Sequence, residues 1–234
     1  MSRFHPLDRP IWSALTSRQA HFDAQGTLAR RFPPEVSPFI AARDSSDEAW
    51  ADLVRQIPAN YDVSLLEPKM PSPPDTVTAI ERPLLQMIMA AEPPSSTKNV
   101  ALVTLGDADA AEMLALATLT KPGPFRTRTH TMGRFLGIRD GARLVAMGGE
   151  RLATEGFTEI TALCTHPDYR GRAYGKTLLA ALANRILADG LTPFLHTYPT
   201  NDVAIAMYNA MGFEPRARLV HAVWERKVAL AARA

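Results

Sequence analysis

Short apolar runs alternate with helical periods along the second half of the chain. Residues 100–105 form an apolar run rich in β-branched side chains, and the runs 135–139 and 143–150 flank Asp140-Gly141. An Asp-Gly pair between two such runs is a strong hairpin signal. Asp109 begins a helical pattern that continues to about residue 119, with Glu112 in the capping-box position. This region therefore predicts a strand, a helix and a β-hairpin.

The same pattern continues toward the end of the chain. Strands are predicted over residues 156–165, 194–198 and 220–228. Helices are predicted over residues 175–188, ended by Asp189-Gly190, and over residues 199–211, closed by Gly212. A crossover helix separates the first two of these strands, so we expect them to be parallel. The order of elements predicts an α/β fold with a mixed sheet.

Prolines interrupt the chain before residue 95, where each cluster should end regular structure because proline lacks the backbone N–H. Helices are predicted over residues 10–20, capped by Asp8, and over residues 46–57. Residues 62–66 and 83–89 are predicted strands, although the second also fits a buried helical turn. Residues 92–99 have the composition of a linker. We therefore predict an N-terminal α/β segment of unknown role over residues 1–95, which could be a degenerate second copy, and a main domain over residues 96–234.

Composition and charge exclude several classes of protein. The 234 residues are 46% hydrophobic, enough for a sizeable core, and 26 basic against 24 acidic residues give a net charge of +2. This balance does not indicate a nucleic-acid partner. A single cysteine excludes an internal disulfide, and no apolar run is long enough to cross a bilayer, so we expect a cytoplasmic protein without a membrane partner. No His, Cys or Asp cluster has metal-ligand spacing, so no metal is predicted.

A basic, glycine-containing turn lies between the predicted strand 156–165 and the predicted helix 175–188. Unpaired N–H groups and the helix dipole favour an anion at a helix start, so this turn predicts a phosphate site. Its ending, Gly175-Lys-Thr, resembles a P-loop. Three residues separate Gly171 from that ending, however, where a P-loop needs four, and no later strand ends in an aspartate suited to magnesium. A nucleoside triphosphate is therefore disfavoured.

The turn resembles the signature of another family. Arg170-x-x-Ala173-x-Gly175, preceded by Leu163-x-Thr165-His-Pro, resembles the (Gln/Arg)-x-x-Gly-x-(Gly/Ala) signature of the GNAT acyltransferases, which bind acetyl-CoA. Ala173 stands where the family usually has its middle glycine. A β-carbon costs little at this position if φ is negative.

A second motif supports the same resemblance. Asn201, followed by Tyr208-x-x-x-Gly-Phe, resembles the family's later Asn…Tyr-x-x-x-Gly-Phe pattern. The two motifs stand in the family's order, and the resemblance covers roughly residues 99–228. The residues of this strand and turn are most similar to those of the FR47-like branch. We therefore expect the GNAT fold, a mixed α/β sheet with an additional N-terminal α/β segment.

The resemblance also implies where the cosubstrate lies. In the family the two parallel strands diverge, and acetyl-CoA occupies the gap. Backbone N–H groups and nearby cations hold the pyrophosphate, and the pantetheine arm pairs with the first strand like an added strand. The cofactor-binding residues implied in this way are Leu163, Cys164, Thr165, Arg170, Gly171, Arg172, Ala173, Tyr174, Gly175, Lys176 and Asn201.

Two catalytic residues are implied by the same resemblance. Tyr208 occupies the position of the family's acid, which protonates the departing thiolate. Glu159, at the start of the strand before the turn, has the spacing of the base in the histone-acetyltransferase branch. Alternation along that strand places Glu159 and Leu163 on one face. A water chain that involves Glu150, Glu155 or His196 remains an alternative base.

The predicted function is acetyl-CoA-dependent N-acetylation of a primary amine by direct attack in a ternary complex. The alternative is a non-catalytic CoA-binding or regulatory module of the same fold. The amine acceptor is unidentified; residues 118–131 and the N-terminal segment are expected to shape its site. We expect a monomer or a homodimer.

Overall fold

The computed structural model describes residues 5–23, 26–59, 61–94 and 100–227. Within these ranges the chain forms five α-helices and ten β-strands. In chain order they are α1 (Pro10–Leu15), β1 (Ala29–Arg31), β2 (Ile40–Ala42), α2 (Asp47–Gln56), β3 (Val63–Glu67), β4 (Val77–Met89), β5 (Val103–Leu105), α3 (Ala110–Thr120), β6 (Phe135–Asp140), β7 (Arg143–Thr154), β8 (Phe157–Thr165), α4 (Tyr174–Ala188), β9 (Thr192–Thr197), α5 (Asp202–Ala210) and β10 (Phe213–Arg226).

Eight of the strands form one mixed sheet. Its order is β3-β10-β4-β9-β8-β7-β6-β5, and β1 and β2 form a separate antiparallel pair. Strands β8 and β9 are parallel, whereas the other neighbouring pairs in the large sheet are antiparallel. The α4 crossover between β8 and β9 is what allows this parallel pairing. The predicted mixed α/β sheet and its parallel pair are therefore confirmed.

Helices cover both faces of the large sheet. Along β4, Leu85 and Met87 pack with the apolar residues of α4, while Leu84, which precedes Leu85, packs with the apolar residues of α1. Successive side chains of a strand point to opposite faces, so α4 and α1 lie on opposite sides. Tyr208 of α5 packs on the α4 side. Since both faces are covered, the central strands carry apolar residues on both faces.

The predicted elements after residue 100 are confirmed, with shifted ends. Strand β10 begins at Phe213, seven positions before the predicted residue 220. The predicted capping box of α3 is wrong: Asp109 is the N-cap residue, but its carboxylate accepts from the backbone N–H of Gly106 and pairs with Arg139. Glu112 also pairs with Arg139, at 2.7 Å. Because Arg139 pairs with both carboxylates, neither of them forms the predicted capping box at the start of α3.

The N-terminal predictions hold less well. The predicted helix 10–20 ends at Leu15, and Asp8 does not cap it, because the Asp8 carboxylate bonds His5 and Arg216 instead. The predicted helix 46–57 is present as α2, and Ser46 caps it, with its hydroxyl accepting from the N–H of Ala49. Residues 83–89 form a strand rather than a helical turn, and this strand begins earlier, at residue 77. Strands β1 and β2 were not predicted.

The large sheet crosses the predicted boundary at residues 95/96. Strand β4 lies between β10 and β9, and β3 pairs with the outer edge of β10. The division into two units stays a prediction, and most of its linker, residues 95–99, lies outside the described residues. Among the described helices, none combines the length and apolar character needed to cross a membrane.

Candidate active site

A cleft opens where the two parallel strands part. Strand β8 pairs with β9 at residues 157–159, opposite residues 192–194, and the later residues of β8 have no partner on β9. The cleft has a volume of about 1370 Å³. This exceeds the ~300–1,000 Å³ of an ordinary small-molecule pocket and suits two substrates. The predicted divergence of these two strands is thus present in the structure.

A β-bulge shapes the β8 edge of the cleft. Thr161 is opposite Gly149 and Cys164 is opposite Met147, so Ala162 and Leu163 together face Gly148. Ala162 has a φ of 52°, in the left-handed region that non-glycine residues rarely adopt. A β-carbon on Gly148 would lie 2.6 Å from Cδ2 of Leu163, so the strand opposite needs a glycine. Bulges of this kind re-aim backbone groups next to active sites.

The bulge overturns the predicted alternation along β8. Ile160 and Leu163 both pack with the apolar residues of α4, whereas Ala162 and Cys164 pack with those of α3. Strict alternation would have placed Ile160 and Leu163 on opposite faces. The prediction that Glu159 and Leu163 share a face is therefore wrong, because the bulge inserts one extra residue between them.

The predicted phosphate turn presents unpaired donors to the cleft. Ala173 is the N-cap residue of α4 and makes no side-chain cap, so the N–H groups of Tyr174, Gly175 and Lys176 have no partner among the described residues. Helix α4 is 15 residues long, long enough for its dipole to favour an anion at this end. All three groups line the cleft.

Basic side chains surround these donors. Arg170, Arg172 and Lys176 are exposed and line the cleft. The guanidinium of Arg172 lies 4.7 Å from the ring centre of Tyr169, whose hydroxyl donates to Asp140 at 2.7 Å. These contacts connect the turn to the β6–β7 hairpin, and the positive charges of the turn lie beside the start of α4.

The turn also contains a strained residue. Ala173 has a φ of 63°, so the condition under which a β-carbon costs little, a negative φ, is not met. The left-handed conformation costs an L-residue roughly 1–2 kcal/mol, and glycine escapes that cost. The family's usual glycine at this position thus has a backbone reason.

Ala173→Gly is expected to stabilise the protein by about 1 kcal/mol and raise Tm by about 2–4 °C. Gly171→Ala is the matched control of opposite sign, since Gly171 has a φ of 77° and a β-carbon there would meet no atom within 4 Å. Thermal unfolding of the three proteins measures both changes. A lower Tm for Ala173→Gly would show that the turn is not strained in this way.

Two further predicted site residues line the cleft from α5: Asn201 at the start of the helix and Tyr208 within it. Tyr208 is partly buried, lines the cleft, and packs near Phe213 with ring centres 6.3 Å apart. Burial raises the pKa of its phenol, and its hydroxyl has no hydrogen-bond partner among the described residues. Asn201 caps α5, where its side-chain oxygen accepts from the N–H of Ala204 at 3.3 Å. The α5 side of the cleft therefore offers the hydroxyl of Tyr208 as a free hydrogen-bond donor.

Glu159 lies beneath the cleft rather than in its wall. Its carboxylate receives two bonds from Arg151, at 2.7 and 2.8 Å, one from His196 at 2.7 Å and one from the N–H of Leu152 at 3.3 Å. Burial alone would raise the pKa of Glu159, but Arg151 and His196 outweigh it and lower the pKa to about 2. Glu159 is 0% exposed, whereas Arg151 and His196 line the cleft.

Cys164 is buried beside the bulge. Burial raises the pKa of its thiol to about 11, so the thiol stays protonated near neutral pH. A protonated thiol is a poor nucleophile, and the side chain packs with the apolar residues of α3. This environment is that of a small apolar side chain.

The cleft includes residues that sequence reasoning did not single out. Arg82, Arg151, Tyr198 and His221 line its end away from the turn, together with apolar residues from the N-terminal part. His221 is paired in register with Arg82 on β4, and its Nδ1 lies 3.0 Å from the Tyr198 hydroxyl. A lone histidine or arginine in a strand carries no local signal of such a role. The nearest signal was the polar residue within an otherwise apolar run, as at His221.

The other predicted acceptor elements also contribute. Residues 120–124, within the predicted region 118–131, line the cleft, and so does Phe39 from the N-terminal segment. Among the described residues, no cluster of three His, Cys, Asp or Glu side chains is arranged to hold a metal ion. The absence of a metal requirement stays a prediction.

Parallel strands that part beside a bulge, followed by a basic turn and an uncapped helix, define the GNAT acyltransferase fold. Comparison with known proteins agrees. The family model described as FR47-like protein matches residues 135–224. A solved structure from Novosphingobium aromaticivorans, assigned to the GNAT acetyltransferases, is 36% identical over 96% of this chain and 100% of its own, with a TM-score of 0.88. The chain therefore belongs to the GNAT family of acetyltransferases.

More distant structures share the fold. A GCN5-related N-acetyltransferase from Kribbella flavida is 18% identical, with 94% of this chain and 97% of its own covered and a TM-score of 0.58. A GCN5-related N-acetyltransferase-like protein from Streptococcus suis is 15% identical, with 93% and 92% covered and a TM-score of 0.52. Among curated proteins, no sequence matches this chain.

Proposed function

We propose that the protein transfers the acetyl group of acetyl-CoA to a primary amine by direct attack in a ternary complex. The observation that carries this proposal is one continuous cleft that joins the uncapped start of α4, the open edge of β8 and the hydroxyl-bearing face of α5. An anion site, a strand edge and a proton donor are the three parts that a CoA thioester needs. A simple phosphate site would need the first part alone.

Acetyl-CoA is proposed to lie along this cleft. Its pyrophosphate would accept from the N–H groups at the start of α4, with Arg170, Arg172 and Lys176 supplying positive charge. Its pantetheine arm would pair with the open edge of β8 at residues 163–165, as an added strand does. This direction brings the thioester toward the bulge and toward Tyr208.

The transfer itself exchanges one bond for another. The amine nitrogen forms a bond to the thioester carbonyl carbon, and the carbon–sulfur bond breaks. The N–H of Leu163, at the bulge, would donate to the carbonyl oxygen as negative charge develops there. Tyr208 would give its phenolic proton to the departing sulfur, because its hydroxyl has no competing partner and its pKa lies above that of a thiol.

The amine must also lose a proton, and we propose that water in the cleft accepts it, because both ring nitrogens of His196 are already hydrogen-bonded. Arg216 donates to Oε1 of Gln86 at 2.8 Å, and Nε2 of Gln86 donates to the Leu7 carbonyl at 2.9 Å, so the orientation of this amide is set. Nε2 of Gln86 therefore donates to Nε2 of His196 at 3.0 Å, and Nδ1 of His196 carries the proton given to Glu159. Neither ring nitrogen of His196 therefore has a free lone pair for the amine proton, and His196 and Glu159 act together as positioning residues beneath the cleft.

A stepwise route through Cys164 has less support. Its thiol is protonated and packed among apolar side chains, so it does not offer a thiolate to the thioester. Direct attack by the amine is the simpler chemistry for this cleft.

Two measurements test the proposed function together. Acetyl-CoA at about 100 times its Kd is expected to raise Tm by about 5–10 °C. Free-thiol release from acetyl-CoA, followed across a panel of primary amines, is expected for at least one acceptor. Binding without thiol release on any amine would favour the non-catalytic module. No binding at all would overturn both.

A further inference from the structure

One end of the cleft is lined by a cluster of arginine, histidine and tyrosine side chains. We call it the cationic end; its polar residues are Arg82, Arg151, His196, Tyr198 and His221. They come from β4, β7, β10 and the β9 region and lie on the face of the sheet that α1 also covers. Three apolar side chains from the N-terminal part line the same end: Phe39, Leu66 and Leu84. This end is distinct from the phosphate turn, and it offers a place for the acceptor in the proposed transfer.

The charges in the cleft are of one sign. Among the described residues that line it, six are Lys or Arg and none is Asp or Glu. Three of the six, Arg170, Arg172 and Lys176, belong to the phosphate turn and are accounted for by the phosphates of CoA. Lys121 lies in the loop after α3, and Arg82 and Arg151 lie at the cationic end.

Nearby carboxylates do not neutralise the whole of this charge. Glu159 is bound to Arg151 and His196, and Glu67 is bound to Arg9 at 2.6 Å. Arg82 is exposed, lines the cleft and has no ion-pair partner among the described residues. Since Glu159 already offsets Arg151, Arg82 supplies the uncompensated positive charge at this end.

The effect of this charge is visible at His221. Burial, together with the charges of Arg151, His196 and Arg82, lowers the pKa of His221 to about 4. Its imidazole is therefore neutral at physiological pH, and its Nδ1 and Nε2 are held by Tyr198 and by Ser64 at 3.0 and 3.3 Å. An acceptor with a second ammonium group would meet the same unfavourable positive field.

We infer that the acceptor amine also carries a carboxylate, which Arg82 binds at the cationic end of the cleft. The inference rests on the proposed transfer to an amine and adds the class of acceptor to it. A guanidinium is the side chain best suited to a carboxylate, because its N–H groups can donate in parallel. Phe39, Leu66 and Leu84 offer apolar contact to the remainder of the acceptor. The acceptor class is thus an amino acid or a related amino carboxylate with an apolar body.

Matched pairs of amines test the inference. Thiol release from acetyl-CoA is measured with phenylalanine against phenethylamine, and with 6-aminohexanoate against pentylamine, so that each pair differs in the carboxylate alone. For at least one pair, kcat/KM is expected to be about tenfold to hundredfold higher for the carboxylate, the range of a charged hydrogen bond. Equal or better use of both uncharged members would overturn the inference while the proposed function stood.

The contribution of Arg82 is isolated by substitution. Arg82→Gln is expected to reduce the preference for the carboxylate within the pair about tenfold, mainly through KM for the acceptor. Arg185→Gln is the matched control, because Arg185 is exposed on α4 and does not line the cleft. A preference that survives Arg82→Gln in full would overturn the assignment to Arg82.

Binding provides a readout that does not depend on turnover. In the presence of CoA, the preferred amino carboxylate is expected to raise Tm, and Arg82→Gln is expected to weaken that shift. Carboxylate-dependent binding without thiol release would support the inference and reject the proposed transfer. Neither binding nor release with any of the four amines would overturn the inference, and acetyl-CoA binding measured separately would then decide the fate of the proposed function.

Discussion

Tyr208→Phe is expected to lower kcat by about 10²- to 10⁴-fold while the affinity for acetyl-CoA changes little. The range is that of a lost general acid. The phenylalanine ring keeps the packing beside Phe213 and the other residues of the α4 side, so the substitution removes the hydroxyl and little else. Steady-state kinetics with the best acceptor, and a thermal shift with acetyl-CoA, measure the two quantities separately.

The Tyr208 experiment has a matched control and a clear adverse result. Tyr61→Phe makes the same chemical change at an exposed tyrosine that does not line the cleft, and its kcat is expected to remain that of the parent. Because burial raises the pKa of Tyr208 above its ordinary value of 10.0, the parent should lose activity through this group only at strongly alkaline pH. Full turnover by Tyr208→Phe would show that another group or water protonates the thiolate.

Local sequence signals were sufficient wherever neighbouring residues determine the structure. Asp140-Gly141 produces the β6–β7 hairpin, with Gly141 at a φ of 57°, and the basic turn before α4 lies where the sequence placed it. The helical spacing of apolar residues likewise predicts α4, and Gly190, with a φ of 73°, follows its C-terminal end. These features depend on contacts within a few residues, which a sequence pattern records directly.

Long-range pairing could not be read in the same way. Strand β4 lies between β9 and β10, although both follow it by more than a hundred residues, and several of its early residues are exposed and polar. Strand β10 was predicted too short because Glu214, Pro215 and Arg216 interrupt its apolar pattern, and the pairing shifts between Pro215 and Ala217. Both strands owe their length to each other rather than to their own composition.

Some features of the candidate site also depend on tertiary contacts and could not be predicted from the sequence. The motif predicted the turn and Tyr208, but nothing local indicated that a bulge would shift Leu163 to the face of α4. Glu159 was expected to face the substrate, whereas its partners Arg151 and His196 come from two other strands and hold it beneath the cleft. A carboxylate in a strand has a role that depends on which cations the fold brings to it, and that is decided by tertiary structure.

Glu159→Ala is expected to destabilise the protein by about 3–5 kcal/mol, because it leaves the guanidinium of Arg151 buried without its partner. The corresponding fall in Tm is roughly 6–20 °C. Leu152 would also lose the acceptor of its N–H, and His196 the partner of its Nδ1. Urea unfolding at neutral pH measures the loss, and a change below ~1 kcal/mol would contradict a buried, fully paired carboxylate.

A double substitution and a pH series distinguish the ion pair from simple loss of volume. Arg151→Met with Glu159→Leu removes both charges and keeps apolar volume, so it is expected to recover much of the stability lost by Glu159→Ala. In the parent, the folded-state pKa of Glu159 is about 2, below the ordinary 4.5, so its contribution to stability is complete above about pH 4.5 and is lost as the pH falls toward 2. The double variant lacks this carboxylate, so its stability should fall less steeply over that window. Parallel pH dependence in the two proteins would show that Glu159 is not the group being titrated.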